Sequence, residues 1–302
     1  MSIVEKAVEK LKTLLVESPA SPPVEAVPLH TTPTVERLQE RARVVDQPVE
    51  VAPLCHVDPA ALKRMGLLPA DNEANRRLAD ELRRIKQPLL DNAIGKGAGT
   101  SARGQRIMVA SAEAGEGKTF AAANLALSLA READFEVLLV DGDIPKSDIT
   151  RAFGLDGKPG LMDVLADERR APAEVILRTD VPNLLVVPTG ERHPLVAELF
   201  RSRRMEYVLD EFGGRNRRRL VLFDSSPLLL TPESQVLASH MDQIVMVVAA
   251  GCTRRQLVNA ALQTLNGSQY VGLVLNMSRL PPDENYYNRH YGQYFKALQG
   301  EA

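Results

Sequence analysis

The residues most able to do chemistry lie in one stretch, "RIMVASAEAGEGKTFAAANLALSLA". An apolar run at Ile107–Ala110 predicts a strand, and a helical pattern begins at Lys118 and Thr119. Between them, Gly115 and Gly117 let backbone N–H groups turn inward around phosphate oxygens. The lysine of such a loop reaches the β- and γ-phosphates, and the hydroxyl that follows can bind Mg²⁺. The stretch therefore predicts a nucleotide site at the N-terminus of a helix.

This loop departs from the standard pattern G-x-x-x-x-G-K-[ST] at its first glycine, where the chain has Ala112. Alanine tolerates most loop conformations except positive φ, so the loop must be shaped differently at that point. The strand before it and the helix after it still favour a nucleotide site over a chance match. The predicted nucleotide contacts of the loop are Ala114, Gly115, Glu116, Gly117, Lys118, Thr119 and Phe120.

Acidic residues end two further apolar runs. "EVLLVDGDIPK" places Asp141 and Asp143 after one run, and "RLVLFDSSPLL" places Asp224 after another. Any one of them alone could be a turn or helix-cap residue. Because ligands of doubly wound sheets bind beyond the carboxyl ends of the strands, all three are expected beside the glycine loop. Thr119, Asp143 and Asp224 are the predicted Mg²⁺ ligands, completed by phosphate oxygens and water.

The pair Asp141 and Asp143 supplies one more acid than a simple nucleotide hydrolase needs. The second carboxylate could take the proton of an incoming hydroxyl, so Lys118, Asp141 and Asp143 are the predicted catalytic residues. Candidate hydroxyls lie in "NYYNRHYGQYF" near the end of the chain, which holds four of its six tyrosines. These predicted phosphoacceptors are Tyr286, Tyr287, Tyr291 and Tyr294.

Apolar runs alternate with helical patterns from residue 105 to about 280. Runs that are apolar throughout are typical of strands buried on both faces. The helical patterns include 118–132 and 253–266. The alternation predicts an α/β fold with a doubly wound, mostly parallel sheet flanked by helices, as in P-loop NTPases. The predicted strands contain Ile107–Ala110, Val137–Val140, Leu184–Val187, Leu220–Phe223, Ile244–Ala249 and Val271–Leu275.

The rest of the chain divides into an N-terminal arm and a C-terminal tail, both predicted to be flexible. Residues 1–17 predict a short amphipathic helix, and 18–70 form a proline-rich linker. The predicted P-loop ATP-binding domain spans 71–280 and the tyrosine tail 281–302. The domain opens with a helix that has Leu78, Leu82 and Ile85 on one side, and Pro88 is expected to end this helix.

Composition excludes several classes of function. The net charge of −2 gives no electrostatic case for binding nucleic acid or an anionic membrane. No apolar run reaches the roughly 20 residues of a membrane span. Cys55 and Cys252 are far apart and have no metal-site spacing, which favours free thiols in the reducing cytoplasm.

Together these motifs resemble the bacterial tyrosine kinases (BY-kinases) of capsule and exopolysaccharide synthesis, and more narrowly the stand-alone autokinases of exosortase-associated clusters. The resemblance implies that Lys118 and Thr119 bind ATP and Mg²⁺, and that Asn276 holds the adenine. It implies that Asp141 and Asp143 share the roles of general base and metal ligand, and that Asp224 completes the metal site. It further implies autophosphorylation between subunits of a homo-oligomer, and a membrane chain-length-determinant protein as activator. The chain would then be cytoplasmic and held at the inner membrane by that partner.

The chain departs from this family at three places. The Arg that usually follows the second strand's acids is replaced by Pro145, with Lys146 beside it. Ser226 stands where the family's Asp-Ser-Pro-Pro has its first proline, which predicts only a mild change in loop stiffness. The family's ring-forming helix pattern of Glu, Arg and Arg at three-residue spacing is only partly present. Its positions here are Glu81, Arg84 and Gln87, with Lys86 as a poorly placed substitute.

Two other classes of function remain open on the sequence. One is a partitioning or positioning ATPase of the deviant-Walker class, which switches by dimerising and has no kinase activity. Such proteins place a second lysine five residues before the catalytic one, where this chain has Glu113, so the kinase is favoured. The other is a catalytically silent nucleotide-binding scaffold.

Overall fold

The computed structural model describes residues 54–56, 73–97, 104–214, 218–265, 267 and 269–278. The predicted N-terminal helix, nearly all of the predicted linker and the four tail tyrosines lie outside these residues. The domain boundaries expected after residues 17, 70 and 280 remain predictions.

Within the described residues, eight strands form one sheet. They are β1 (Leu54–Cys55), β2 (Arg106–Ser111), β3 (Glu136–Gly142), β4 (Leu177–Thr179), β5 (Leu184–Val187), β6 (Arg219–Ser225), β7 (Gln243–Ala249) and β8 (Tyr270–Asn276). Their order across the sheet is β1-β4-β5-β3-β6-β2-β7-β8. Neighbours are parallel except for β4 and β5, which pair antiparallel. The expected doubly wound, mostly parallel sheet is confirmed.

Helices cover both faces of this sheet. They are α1 (Glu73–Ala93), α2 (Lys118–Leu129), α3 (Asp148–Ala152), α4 (Leu161–Ala166), α5 (Val196–Arg201), α6 (Arg203–Gly213), α7 (Pro232–Ser239) and α8 (Arg255–Gln263). A 3-10 turn at Pro172–Val175 leads into β4. Helices α1, α2 and α3 pack on one face, and α4 to α8 pack on the other.

The core therefore has two apolar layers separated by the sheet. Along β2, Met108 and Ala110 belong to one layer, and Ile107 and Val109 belong to the other. All four side chains are fully buried. Because both faces of the central strands are covered, their sequences are apolar throughout, as the sequence analysis assumed.

All six predicted strands are present, and two strands were not predicted. Strand β4 was not predicted because it has only three residues, and the middle one, Arg178, is exposed. Strand β1 is a two-residue edge strand inside the predicted linker, parallel to β4. Both lie at one end of the sheet, away from the strands that carry the predicted site.

The expectation that Pro88 ends the first helix is wrong, because α1 continues through it to Ala93. Proline inside a helix costs about 3 kcal/mol through a lost hydrogen bond and a clash with the preceding turn. Leu89 and Leu90 follow it and are 2% and 7% exposed. Burying two leucines contributes roughly 3–6 kcal/mol, which is enough to offset the proline.

Lys86 does not face outward from α1 as a substitute for the missing ring residue. Its ammonium donates to the Glu132 carboxylate at 2.5 Å and to the Ser128 carbonyl at 3.2 Å. The side chain thereby fastens α1 to the C-terminal part of α2. Gln87, which replaces the second arginine of the ring pattern, donates to Asp91 on its own helix at 3.2 Å.

Two expectations drawn from composition can be compared with the described part of the chain. None of its helices is both long enough and apolar enough to cross a membrane. Cys55 and Cys252 are free thiols, half-buried and exposed respectively, as predicted.

Candidate active site

The glycine loop joins β2 to α2 and has the left-handed backbone that its glycines suggested. Gly115 and Gly117 have φ angles of 85° and 87°, a region that strongly favours glycine. Space also requires glycine at 117, since a Cβ there would lie 2.2 Å from Nδ2 of Asn276. Ala112 has no such positive φ and is fully buried. The loop is thus left-handed only in its second half.

Two side chains hold the loop in this shape. The Glu116 carboxylate is buried and accepts hydrogen bonds from the Glu113 N–H at 2.7 Å and from the Thr253 hydroxyl. Nδ2 of Asn276 donates to the Glu116 carbonyl at 2.9 Å. The ends of β7 and β8 are therefore joined to the loop. The adenine role of Asn276 remains a prediction, while the structure gives it a contact with the loop itself.

Lys118 and Asp143 form a buried ion pair at the base of the loop. The distance from Nζ to Oδ2 is 2.8 Å, and the two side chains are 5% and 2% exposed. The other carboxylate oxygen, Oδ1, accepts the Ser226 hydroxyl at 2.8 Å. The predicted phosphate-binding lysine therefore lies against one of the predicted catalytic acids, as expected for strand ends that share one edge of the sheet.

Asp141 is fully buried and has its own set of donors. Its Oδ2 accepts the backbone N–H and the hydroxyl of Thr150 at 2.8 and 2.7 Å. The Thr150 hydroxyl in turn accepts the Thr189 N–H at 2.9 Å, which ties the group to the end of β5. Burial raises the pKa of Asp141, and the Thr150 hydrogen bonds offset part of that rise.

Asp224 is the exception among the three acids. Both of its carboxylate oxygens are buried, and neither has a well-aligned hydrogen-bond partner among the residues that the structure describes. Burial raises its pKa to about 8, although the Lys118 charge and the nearby Thr119 hydroxyl act in the opposite direction. A fully buried carboxyl without donors is costly unless it is protonated or meets a cation.

The donor set fits Mg²⁺, which prefers carboxylate and hydroxyl oxygens and keeps several waters. Asp224 offers two unpartnered oxygens, and Thr119 adds a hydroxyl beside them. The described residues contain no cluster of three or more His, Cys, Asp or Glu arranged as a complete metal site. The ligand shell would therefore need phosphate oxygens and water, as the sequence analysis expected.

The structure thus brings Lys118, Thr119, Asp141, Asp143 and Asp224 together at the ends of β2, β3 and β6. The loop residues named as nucleotide contacts surround them: Ala114 and Gly115 are exposed, and Phe120 is half-buried. The roles of all these residues remain predictions. Sequence reasoning missed the residues that hold the acids and the loop in place, namely Thr150, Thr189, Ser226 and Thr253.

Comparison of the chain with known proteins identifies the family to which it belongs. The CobQ/CobB/MinD/ParA nucleotide-binding domain family matches residues 107–298. The tyrosine-protein kinase CpsD of Streptococcus agalactiae is 31% identical over 189 residues, covering 61% of this chain and 81% of that protein. The chain belongs to the bacterial protein-tyrosine kinases. The tyrosine-protein kinase YwqD of Bacillus subtilis is also similar, 30% identical over 182 residues, covering 60% of this chain and 75% of that protein.

A solved structure of this kinase family agrees with the fold. The kinase domain of VpsO superposes with a TM-score of 0.56 at 27% identity, covering 68% of this chain and 98% of that chain. The expected kinase class and P-loop fold are therefore confirmed at the level of the family.

The turn at Pro145 is where this kinase departs from the family. Lys146 beside it is exposed. The Arg192 guanidinium, from the loop after β5, donates to the Pro145 carbonyl at 2.8 Å. A second positive charge therefore lies at this turn, one that the sequence pattern did not indicate.

Proposed function

We propose that this kinase uses Mg²⁺·ATP to phosphorylate its own C-terminal tyrosines, and that the modification regulates exopolysaccharide polymerisation or export. The proposed acceptors are Tyr286, Tyr287, Tyr291 and Tyr294. The alternative is a deviant-Walker ATPase switch without kinase activity. Similarity to proteins named tyrosine-protein kinases favours the first, as does the absence of a second loop lysine at Glu113.

One observation carries the proposal, the buried group of one lysine and three acids behind the glycine loop. Lys118 can neutralise charge on the transferred phosphoryl group. Mg²⁺, held by Thr119, Asp143 and Asp224, would supply further charge neutralisation when bound. One carboxylate of the Asp141 and Asp143 pair is then available to accept a proton. A simple nucleotide hydrolase would not need a second acid at this strand end.

In the reaction, a tyrosine oxygen forms a bond to the γ-phosphorus while the bond to the β-phosphate oxygen breaks, and ADP leaves. The phenol proton passes to a carboxylate of the Asp141 and Asp143 pair. A raised pKa makes Asp141 a stronger base than an ordinary aspartate, whose pKa is about 3.9. Asp143 balances the Lys118 charge when no nucleotide is present.

The proposal extends to partners. We expect a homo-oligomer in which the tail of one subunit enters the site of another. A membrane chain-length-determinant protein would activate it, with the N-terminal arm as the point of contact. Phosphates gathered on the tail would repel one another and the acidic site, which favours release of the tail. The association with exosortase-type clusters and the position at the inner membrane rest on the sequence resemblance.

The test is phosphotyrosine formation by the purified full chain with Mg²⁺·ATP, followed by mass spectrometry of the tail. We expect a strong signal in the wild type, and loss of the signal in Lys118→Met and in a chain ending at residue 284. The matched control is Tyr207→Phe with Tyr270→Phe, which removes the two tyrosines outside the tail and should leave the signal unchanged. ATP hydrolysis without phosphotyrosine would instead support the switch ATPase.

A further inference from the structure

The Ser226 hydroxyl makes a polar contact with a catalytic acid that the proposed mechanism does not use. Ser226 is 2% exposed, and its Oγ donates to Oδ1 of Asp143 at 2.8 Å. A hydroxyl–carboxylate bond in a buried setting is charge-assisted and is stronger than a neutral hydrogen bond. Within the described residues, no other donor is recorded for this oxygen.

The position of Ser226 follows from the register of the sheet. Strands β3 and β6 pair in parallel, with Asp141 opposite Asp224 and Gly142 opposite Ser225. Asp143 and Ser226 are the residues that directly follow these two strands, so the same register places them side by side. Gly142 makes this approach close, since a Cβ there would lie 2.8 Å from the Asp224 carbonyl oxygen.

The backbone after Ser226 is fixed independently of the side chain. The Leu228 N–H donates to the Ser111 carbonyl at 2.8 Å, and the Leu229 N–H donates to the Ala112 carbonyl at 3.3 Å. These bonds fasten the turn to the start of the glycine loop. Ser226 is therefore held between a central strand and a secured turn, and its hydroxyl is preorganised toward Asp143.

The two oxygens of Asp143 have different partners. Oδ2 pairs with Lys118, while Oδ1 receives Ser226. If Lys118 turns to the phosphates, as the proposed function requires, its bond to Oδ2 is given up. The Ser226 bond does not compete with nucleotide and can persist.

We propose that Ser226 is a positioning residue, whose hydroxyl holds the Asp143 carboxylate in place when Lys118 leaves it for the nucleotide. The serine then has a specific role where the family resemblance predicted only a small change in loop stiffness. The inference rests on the proposed function for its kinetic consequence, whereas its effect on nucleotide binding is independent of tyrosine phosphorylation.

The first measurement is the calorimetric affinity for Mg²⁺·AMP-PNP. Residues that orient a metal ligand typically change metal affinity or activity by 10–100-fold, so we expect Ser226→Ala to weaken binding about tenfold. AMP-PNP binding without Mg²⁺ should change by less than about threefold, because only the metal-dependent part of binding passes through Asp143.

The matched control is Ser225→Ala. Its hydroxyl is also buried, but it donates to the backbone carbonyls of Val109 at 2.9 Å and of Ser226 at 3.1 Å, and within the described residues it has no hydrogen bond to the acids. Any general effect of deleting a buried hydroxyl at this strand end should appear in both variants. We expect the control to retain wild-type affinity for Mg²⁺·AMP-PNP.

A double-mutant cycle tests whether Ser226 acts through Asp143. In the Asp143→Ala background, adding Ser226→Ala should change the Mg²⁺·AMP-PNP affinity by less than about twofold, since the carboxylate it orients is gone. Equal effects of Ser226→Ala in both backgrounds would overturn the proposal. So would an unchanged affinity in the single variant.

The kinetic measurement separates this inference from the proposed function. If the wild type forms phosphotyrosine, Ser226→Ala should lower kcat about tenfold and Ser225→Ala should not, because misplacing a catalytic carboxylate affects the transition state. If the wild type forms none, the kinase proposal fails, and the binding cycle still decides the role of Ser226.

Discussion

Asp224 offers a test of the electrostatics of this site in the absence of any ligand. Its carboxyl is fully buried, neither oxygen has a well-aligned hydrogen-bond partner in the described part of the chain, and its pKa is raised to about 8 from an ordinary 3.8. An aspartate with a raised pKa favours the folded protein only while it is protonated. Its contribution is complete below the pKa of the unfolded chain and is lost as the pH rises toward the pKa in the folded state.

The magnitude follows from the number of protons bound. Between pH 5 and pH 7, Asp224 is protonated in the folded protein and ionised in the unfolded chain. Stability then falls by about 1.4 kcal/mol per pH unit, or about 3 kcal/mol over this interval. Relaxation of the site and partial hydration would reduce this by up to half, so we expect a change of about 1.5–3 kcal/mol.

Asp224→Asn removes the ionisation while keeping the shape. Both proteins are unfolded in urea at pH 5, 6 and 7 without nucleotide or metal, and the unfolding is monitored by circular dichroism. The free energy of unfolding of the variant minus that of the wild type should rise steadily with pH by the amount given above. Taking the difference cancels groups that titrate equally in both proteins.

Asp156→Asn is a suitable control because it removes an exposed carboxylate outside the site. Its stability should follow that of the wild type at every pH. Parallel curves for Asp224→Asn and the wild type would refute the reasoning, since they would mean that Asp224 ionises in the folded protein as readily as in the unfolded chain.

Three further substitutions test other contacts of the site and its support. Gly117→Ala forces a side chain into a left-handed backbone 2.2 Å from Asn276, so nucleotide affinity measured by calorimetry should fall at least about tenfold. Thr150→Val removes the hydroxyl bound to Asp141 and should lower the free energy of unfolding by about 1–3 kcal/mol in urea titrations. Lys86→Met should cost about 1 kcal/mol, because its partner carboxylate is partly exposed, and should leave the oligomeric state in sedimentation unchanged.

The strands of the site were predictable because burial on both faces makes their sequences apolar throughout. Val137–Val140 and Leu220–Phe223 are fully buried, and each leads directly into acids. Parallel strands end at the same edge of a sheet, so the sequence alone indicated that Asp141, Asp143 and Asp224 would meet.

The residues that hold these acids could not be predicted in the same way. Thr150 and Ser226 reach their partners through the start of a helix and through the register of two strands, and neither is encoded by local spacing. Pro88 shows the same limit in the fold, since local preference predicts a helix end while burial of the leucines after it extends the helix. Hydrogen-bond partners and helix ends that are set by tertiary contacts therefore cannot be predicted from local sequence patterns.

The buried groups of the site keep their own net charge low in two ways. Lys118 and Asp143 neutralise each other as an ion pair, while burial shifts Asp141 and Asp224 toward their protonated forms. A nucleotide with its metal would change both, because a phosphate would compete with Asp143 for the Lys118 ammonium, and carboxylates must lose their protons to bind a cation. When nucleotide and Mg²⁺ bind, the phosphates would therefore take over the role of Asp143 as partner of Lys118, and Mg²⁺ would replace protons on the acids. The Ser226 hydroxyl would remain hydrogen-bonded to Asp143 throughout.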